Sequence, residues 1–325
     1  MDTSQRDPFP KVLLVINPES GTTGVSARLE LYSKFFATHG WPCQVFQTSA
    51  EVDTVAAIRQ AVDVGIDLVV ASGGDGTISQ AVTALNGSNI PLGVLPAGTG
   101  NIMARDLGIP TNGEKALELL AGEHRLLSLD LMQVGDRCFG LNVSIGLSAR
   151  TMDTIEREKK KKLGIIAYLL DGFGNLAGLR LHRIRLTVDD MQYPVRASEI
   201  MVGNTSLIGL RRMPRHLEIR PDDGAVDVIV TRALTLWDWV VVVVNFVLGI
   251  KVTNPHFRIM TAHQQIRVES LLPLTVQGDG DVIGKTPVEL KVLPGAVQVI
   301  VPGGDRNLVE TLLKRTGIIR LVGEK

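Results

Sequence analysis

Residues 69–82 read VVASGGDGTISQAV: three glycines around a single acid, Asp75, between an apolar run and a helical pattern. Glycine has no Cβ, so its backbone N–H groups can come close to a ligand. Two comparable stretches occur, NPESG at 17–21 and PAGTGN at 96–101. Each follows an apolar run and opens a helical pattern, and a helix N-terminus carries partial positive charge. Three such loops on one edge of a sheet suit a polyphosphate. An acid among phosphate-binding N–H groups is repulsive unless a cation intervenes. Mg²⁺ prefers carboxylate, water and phosphate oxygens, so Asp75 points to a Mg²⁺–nucleotide complex. The alternative for Asp75 is a cap or turn role. The chain has no GxxxxGK[ST] loop, and GTGNIMARDLG does not fit GxGxxG, so the two commonest nucleotide fingerprints are absent.

The loops need strands to deliver them. KVLLVI at 11–16, Val45–Phe46, Asp67–Ala71 and Ile90–Leu95 read as strands. Ser26–His39, Asp53–Val64 and Ile78–Leu85 read as the helices between them. Strands alternating with helices predict a parallel α/β sheet, with ligands bound beyond the carboxyl ends of its strands. Near residue 125 the pattern changes to short alternating runs: LLSLDLMQV, RCFGLNVSIG, RIRLTV, EIMVGN, AVDVIVTRA, QIRVES, PVELKV and AVQVIVP. These predict an antiparallel β domain. The expected division is an α/β domain over 1–127 and a β-sandwich over 128–305. A helical insertion is expected at 153–180, and a C-terminal helix at 306–325 packing back on the first domain.

Composition sets limits. Hydrophobic residues make up 45%, enough for two cores, while Lys+Arg and Asp+Glu both total 34. The balance argues against a general nucleic-acid binder, which needs surplus positive charge. Cys43 and Cys138 lack metal spacing, and the expectation is two buried, inert thiols in a reducing cytoplasm. The first residues, MDTSQRDPFPK, lack a signal-peptide layout. Leu236–Ile250 is very apolar, but Asp238 and Asn245 interrupt it, which predicts a buried or interfacial segment rather than a span. The histidines show no ligand spacing, and there is no Ser-His-Asp set.

SGGDGT followed by PAGTGN resembles the diacylglycerol kinase catalytic domain. The chain from about Val12 to Pro302 is similar to the bacterial lipid kinases of that superfamily, which includes sphingosine and ceramide kinases. Gly-Gly-Asp-Gly alone also occurs in NAD kinases and phosphofructokinases, but the Thr-Pro-Thr-Gly-Ser run of NAD kinases is missing. The resemblance implies a phosphofructokinase-like α/β domain, a C-terminal β-sandwich and a site in the cleft between them. It implies nucleotide contacts from Asn17, Pro18, Ser20, Gly21 and Thr48. It implies a phosphate cradle at Gly73, Gly74, Asp75, Gly76 and Thr77, with Asp75 near Mg²⁺. Gly98, Thr99 and Asn101 would complete the nucleotide site. RPDDGAVDV, Arg220–Val228, resembles a turn that holds a structural Mg²⁺ through one Asp side chain and two carbonyls, here Asp223, Arg220 and Ala225. Read without the family it is an Asp-Asp-Gly hairpin turn. VQGDGDVIG, Val276–Gly284, resembles the Asp-Gly-Glu segment that supplies the catalytic base. That role falls on Asp281, with Asp279 as its understudy.

The chain departs from the family pattern in two places. Asp281 replaces the usual Glu and is one methylene shorter, and Ile102 stands where relatives often carry Asp. The implied activity is transfer of the ATP γ-phosphate to a hydroxyl of a membrane lipid, with Mg²⁺, diacylglycerol leading the acceptors. Alternatives are another lipid alcohol, an NAD-kinase-like activity and a catalytically silent nucleotide-binding regulator. Lys159–Lys162 precede the apolar run IIAYLL, a block that suits an anionic membrane surface and a cytoplasmic, peripheral location. Arg211, Arg212 and Arg215 form a weaker basic cluster. A homodimer is compatible with the sequence, but no surface is identified for it.

Overall fold

The structure, a computed structural model, describes residues 10–21, 23–146, 180–204, 219–232, 238 and 257–303. The first region runs β1 (Val12–Ile16), α1 (Val25–Thr38), β2 (Cys43–Gln47), α2 (Thr54–Asp63), β3 (Leu68–Gly73), α3 (Asp75–Leu85), β4 (Leu92–Pro96), α4 (Ile102–Asp106) and α5 (Gly113–Ala121). Strands β2, β1, β3 and β4 are neighbours in that order and all parallel. Strands β1, β3 and β4 are buried along their whole length, as an apolar run covered by helices on both faces requires. One face packs on α2 and α3 through Leu13, Val69, Ile78 and Val82. The other packs on α1 and α5 through Leu14, Tyr32, Phe36 and Leu117.

The second region contributes β5 (His124–Val134), β6 (Arg137–Phe139), β7 (Asn142–Gly146), β8 (His182–Val188), β9 (Met191–Ala197), β10 (Glu199–Gly203) and β11 (Val226–Thr231). It continues with β12 (Phe257–Ala262), β13 (Gln265–Ser270), β14 (Thr275–Gly278), β15 (Asp281–Lys285) and β16 (Val288–Pro302). Strands β12-β11-β10-β7-β14-β15 form an antiparallel sheet. Its inner face meets β13 and β8 across a core containing Val143, Ile145, Val202, Val228, Leu186 and Ile266. This is a sandwich built on period-two alternation.

The expected α/β plus β-sandwich architecture is therefore present, with one join. PVELKV and AVQVIVP, read as two runs, are a single 15-residue strand, β16. Its first part pairs with β13, and Val299 sits parallel beside Leu92 of β4. It pairs with β5 on both sides of an irregularity between Leu293 and Val297. Both strands thus run from the sandwich into the parallel sheet.

Smaller differences follow from local chemistry. Helix α3 begins at Asp75 rather than Ile78, because Gly74 serves as its N-cap and leaves Asp75 in the first turn. RCFGLNVSIG breaks at Gly140 into β6 and β7. A Cβ at Gly140 would meet the Met103 methyl at 2.7 Å, so the chain runs tight against α4 there. Helix α5 has no counterpart in the sequence reading; Asn112 caps it by accepting the Lys115 N–H. Cys138 is buried and Cys43 half-buried, both as free thiols that burial pushes up to about 11.

The apolar segment at 236–250 apart from Asp238, nearly all of the insertion, Lys159–Lys162, Arg211, Arg212, Arg215 and the helix expected at 306–325 lie outside the described residues. Among the described residues, no helix is long and apolar enough to cross a membrane.

Candidate active site

The three glycine loops leave the carboxyl ends of β1, β3 and β4, side by side. Ile16 lies opposite Ser72, and Gly73 opposite Pro96, so the strands end level. The loops then touch. The Asn17 side-chain amide donates to Thr77 Oγ1 at 3.3 Å. A Cβ on Gly21, which has φ +87°, would stand 3.0 Å from the Ala97 carbonyl oxygen. One on Gly98 would stand 2.6 Å from the Gly74 Cα. The last contact is backbone on backbone, and only glycine permits it.

Asn101 locks the third loop. It is 6% exposed and has a left-handed backbone, φ 47°. Its side-chain oxygen accepts the Gly98 N–H at 2.9 Å, and its amide donates to the Gly98 carbonyl at 2.8 Å. Asn tolerates this conformation better than most residues, and the two bonds offset the strain. Thr99 and Gly100 are left exposed at the loop tip. Thr77 is buried and folds over Gly73, where a Cβ would stand 2.3 Å from its hydroxyl. Gly76 is open and exposed.

Asp75 ties the second loop to the third. Its Oδ1 accepts the Met103 N–H at 3.3 Å, so it caps the first turn of α4 from another helix. Burial raises its pKa above the usual carboxylate value, while the N–H groups of Met103, Ile102, Asp75 itself and Asn101 act to lower it. Its Oδ2 faces Gly100, whose Cβ would stand 3.0 Å away.

Arg28, which the sequence reading did not single out, supports the first loop from below. It is 5% exposed and donates to the Asn17 carbonyl at 2.8 Å and to Ser72 Oγ at 3.3 Å. An arginine inside an otherwise apolar helix face was the available signal. The Ser20 N–H donates to the Asn17 carbonyl, closing a turn that Pro18 begins, both half-buried. Thr48, half-buried, follows β2 beside Asn17 and donates its N–H to Ile16 O at 2.9 Å.

The Asp-Gly-Asp turn between β14 and β15 arrives from the sandwich. Asp279 accepts the N–H groups of Gly140, Leu141 and Asn142 at 3.2, 3.1 and 3.0 Å. Burial still pushes its pKa up to about 6 against these donors. Asp281, two residues on, is exposed and lies 3.5 Å from Arg137, whose guanidinium stands over the Phe139 ring. The two acids thus have opposite surroundings: Asp279 is held inward by N–H groups, and Asp281 faces solvent beside Arg137.

Arg220, Asp223 and Ala225 sit elsewhere, in the turn before β11. The Gly224 N–H donates to Asp130 Oδ2 and the Gly295 N–H to Asp130 Oδ1, each at 2.7 Å. Asp130, on β5, is 1% exposed and was not singled out from sequence, although an acid inside LLSLDLMQV was a signal. Burial raises its pKa; the Gly295 and Gly224 N–H groups oppose that, and the nearby Asp223 charge adds to it. Asp227 is likewise raised, by burial first and by Asp223 last. Among the described residues, no three His, Cys, Asp or Glu side chains gather as a metal site. The set at this turn is of another kind, one carboxylate and two backbone carbonyls.

Comparison with known proteins fits this geometry. Residues 11–134 match the model of the diacylglycerol kinase catalytic domain. The chain belongs to that family. Residues 141–301 match a second model, the YegS C-terminal NAD kinase beta sandwich-like domain. The chain is 29% identical over 304 residues to an uncharacterized Synechocystis protein, covering 89% of this chain and 70% of that one. It is 28% identical to the diacylglycerol kinase of Bacillus subtilis, covering 89% of this chain and 95% of that one. A crystal structure from Bacillus anthracis str. Sterne superposes with TM-score 0.75 at 25% identity, covering 93% of this chain and 98% of that one. The family member described here is an enzyme of the lipid kinase type.

Proposed function

We propose that the chain transfers the γ-phosphate of ATP to a hydroxyl of a membrane lipid, with diacylglycerol the leading acceptor. One observation carries the reading. Three interlocked glycine loops end adjacent parallel strands, and an Asp-Gly-Asp turn from the sandwich is tied to the Gly140–Asn142 segment, which follows the strand that Thr83 holds to the helix leaving the middle loop.

Phosphoryl transfer rests on positioning and charge stabilisation. The Gly73–Thr77 and Gly98–Thr99 loops cradle the phosphates, with the Gly98 and Thr77 N–H groups already given to Asn101 Oδ1 and the Gly74 carbonyl, and Asn17, Pro18, Ser20, Gly21 and Thr48 lie along the nucleotide. The lipid hydroxyl oxygen attacks the γ-phosphorus, and the bond from γ-phosphorus to the β–γ bridging oxygen breaks. The hydroxyl proton passes to the Asp281 carboxylate, and ADP leaves. Asp279 orients the turn rather than taking that proton, since three backbone donors already occupy its oxygens.

Bound Mg²⁺ would offset phosphate charge. Asp75 fits a place beside it only through Oδ2, since Oδ1 caps α4. The Asp223 carboxylate and the Arg220 and Ala225 carbonyls form an all-oxygen set suited to a second, structural Mg²⁺. Mutual repulsion among Asp223, Asp130 and Asp227 supports a cation there. The same reading takes the α/β unit as residues 1–127, the lipid-side sandwich as 128–305 and the membrane surface as a transient partner.

The test is transfer of labelled γ-phosphate from ATP, with Mg²⁺, to diacylglycerol, sphingosine and ceramide in mixed micelles, with NAD as the aqueous acceptor. Labelled diacylglycerol is the expected product. Label in NAD alone would overturn the lipid reading, and ATP binding with no transfer to any acceptor would favour a silent regulator.

A further inference from the structure

Strand β6 is three residues long, and among the described residues it pairs with β5 alone. The open edge of a strand leaves backbone N–H and C=O groups without a partner. Thr83 of α3 supplies one. Its hydroxyl donates to the Cys138 carbonyl at 2.9 Å and accepts the Cys138 N–H at 3.2 Å. One buried side chain thus does for Cys138 what a neighbouring strand would. In a helix, a threonine hydroxyl can return to the carbonyl one turn back. This one leaves its helix for a residue 55 positions away. The Asp-Gly-Asp turn leans on the same short strand and on the residues that follow it. Arg137 pairs with Asp281 at 3.5 Å. The Phe139 ring fills the space beside Gly278, where a Cβ would stand 2.4 Å from it. Gly140, Leu141 and Asn142 donate to Asp279, and the Asp279 N–H donates back to the Asn142 carbonyl at 3.0 Å.

We infer that Thr83 is a positioning residue: through Cys138 it fixes β6, and with it the Asp281-bearing turn, to the helix that leaves the central phosphate loop. The neighbours of the clamped residue carry the turn, Arg137 through its ion pair and Phe139 through packing. The need for such a device is visible in the turn itself. Asp281 begins an edge strand, and its ion pair is exposed and therefore weak on its own. Gly280 and Gly284 on either side have positive φ and open space around them. At the other end of the link, Thr83 and Asp75 share one helix, roughly two turns apart, so the reference point is the phosphate loop. Helix α2 holds Thr83 as well, since Arg59 donates to its carbonyl at 3.3 Å. A reacting group displaced by about 1 Å can lose on the order of 100-fold in rate.

The inference rests on Asp281 acting as the base, and its test has arms that do not need turnover. In the full chain, Thr83→Val keeps the shape and removes the hydroxyl, while Thr83→Ser keeps the hydroxyl. Thr83→Val should lower kcat about tenfold and leave KM for ATP within about twofold of the parent. Thr83→Ser should stay within about twofold in both. Amide hydrogen exchange at residues 137–142 and 278–282 should quicken about tenfold in Thr83→Val and not in Thr83→Ser, with β1 and β3 unchanged. Equal kcat losses in the two variants, a parental kcat in Thr83→Val, or unchanged exchange at 278–282 would each overturn the inference. Two further measurements decide if Thr83→Val does not fold. In the parent, the Cys138 amide should exchange at least about tenfold slower than that of the turn glycine Gly280. Arg137→Ala, at a half-exposed site, should lower kcat about threefold with KM for ATP unchanged. A Cys138 amide as fast as Gly280, or a parental kcat in Arg137→Ala, would overturn the inference. If the parent chain phosphorylates no acceptor, the functional reading fails instead, and the exchange arms still decide whether Thr83 ties the turn to α3.

Discussion

The glycine-loop side and the Asp-Gly-Asp side of the candidate site are built by different means. The glycine loops are held by the absence of side chains: Gly98 lies on Gly74, and Gly21 lies on Ala97. The Asp-Gly-Asp turn is held by one carboxylate that gathers three backbone donors. The first arrangement fails when atoms are added, and the second when they are removed. The contrast also separates two acids that are neighbours in sequence, one buried among N–H groups and one exposed beside Arg137.

The largest effect expected from breaking this contrast is at Asp279. Asp279→Ala strips three backbone donors of their acceptor and should cost about 3 kcal/mol, read as a lower urea midpoint. Asp281→Asn should leave that midpoint within about 0.5 kcal/mol, because the side chain is exposed. Its phosphotransfer should nevertheless fall by at least ~100-fold, the usual worth of a general base. Near-normal turnover in Asp281→Asn would remove it from the base role. Gly98→Ala puts a methyl 2.6 Å from the Gly74 Cα. It should cost about 2 kcal/mol and weaken ATP binding, whereas the open Gly280 should cost only its backbone strain, about 1 kcal/mol. Equal ATP affinity in the two alanine variants would show that the loop contact does not shape the phosphate site.

The smallest effect is a pH dependence. The folded-state pKa of Asp279 is raised to about 6 from 3.8. Between those values the folded chain binds the extra proton, so stability from this group is complete below pH 3.8 and lost as pH rises through about 6. The stability gap between the parent and Asp279→Asn should therefore widen as pH falls from 7 to 4. Parallel pH curves would mean that the donors balance burial.

The strands and the three loops were legible because buried parallel strands read as plain apolar runs, and VLLVI, LVVASG and LGVLP are such runs. That the loops touch was not legible: the approach of Gly98 to Gly74 is a contact between residues 24 apart, with no side-chain pattern to announce it. Asp75 was read toward a cation, with a cap as the alternative, and its Oδ1 is a cap on a helix 27 residues later. Asp279 and Asp281 looked alike in GDGD. Only tertiary placement of the Gly140–Asn142 segment separates them. The division near residue 125 was visible as a change of period. The two strands that cross it were not, because Pro294 and Gly295 interrupt the alternation and mimic a turn.

Strand β16 has a consequence for how the chain is made. It lies against β4 and along β5, yet its last residues are synthesised after the whole sandwich. A nascent chain emerging from the ribosome with β1 to β4 complete still has a bare, apolar sheet edge at β4 and no partner for β5. The α/β region cannot close ahead of the β-sandwich, so both are expected to be finished in one late event. A polypeptide cut anywhere before Val297 should remain dependent on chaperones, however intact its glycine loops are.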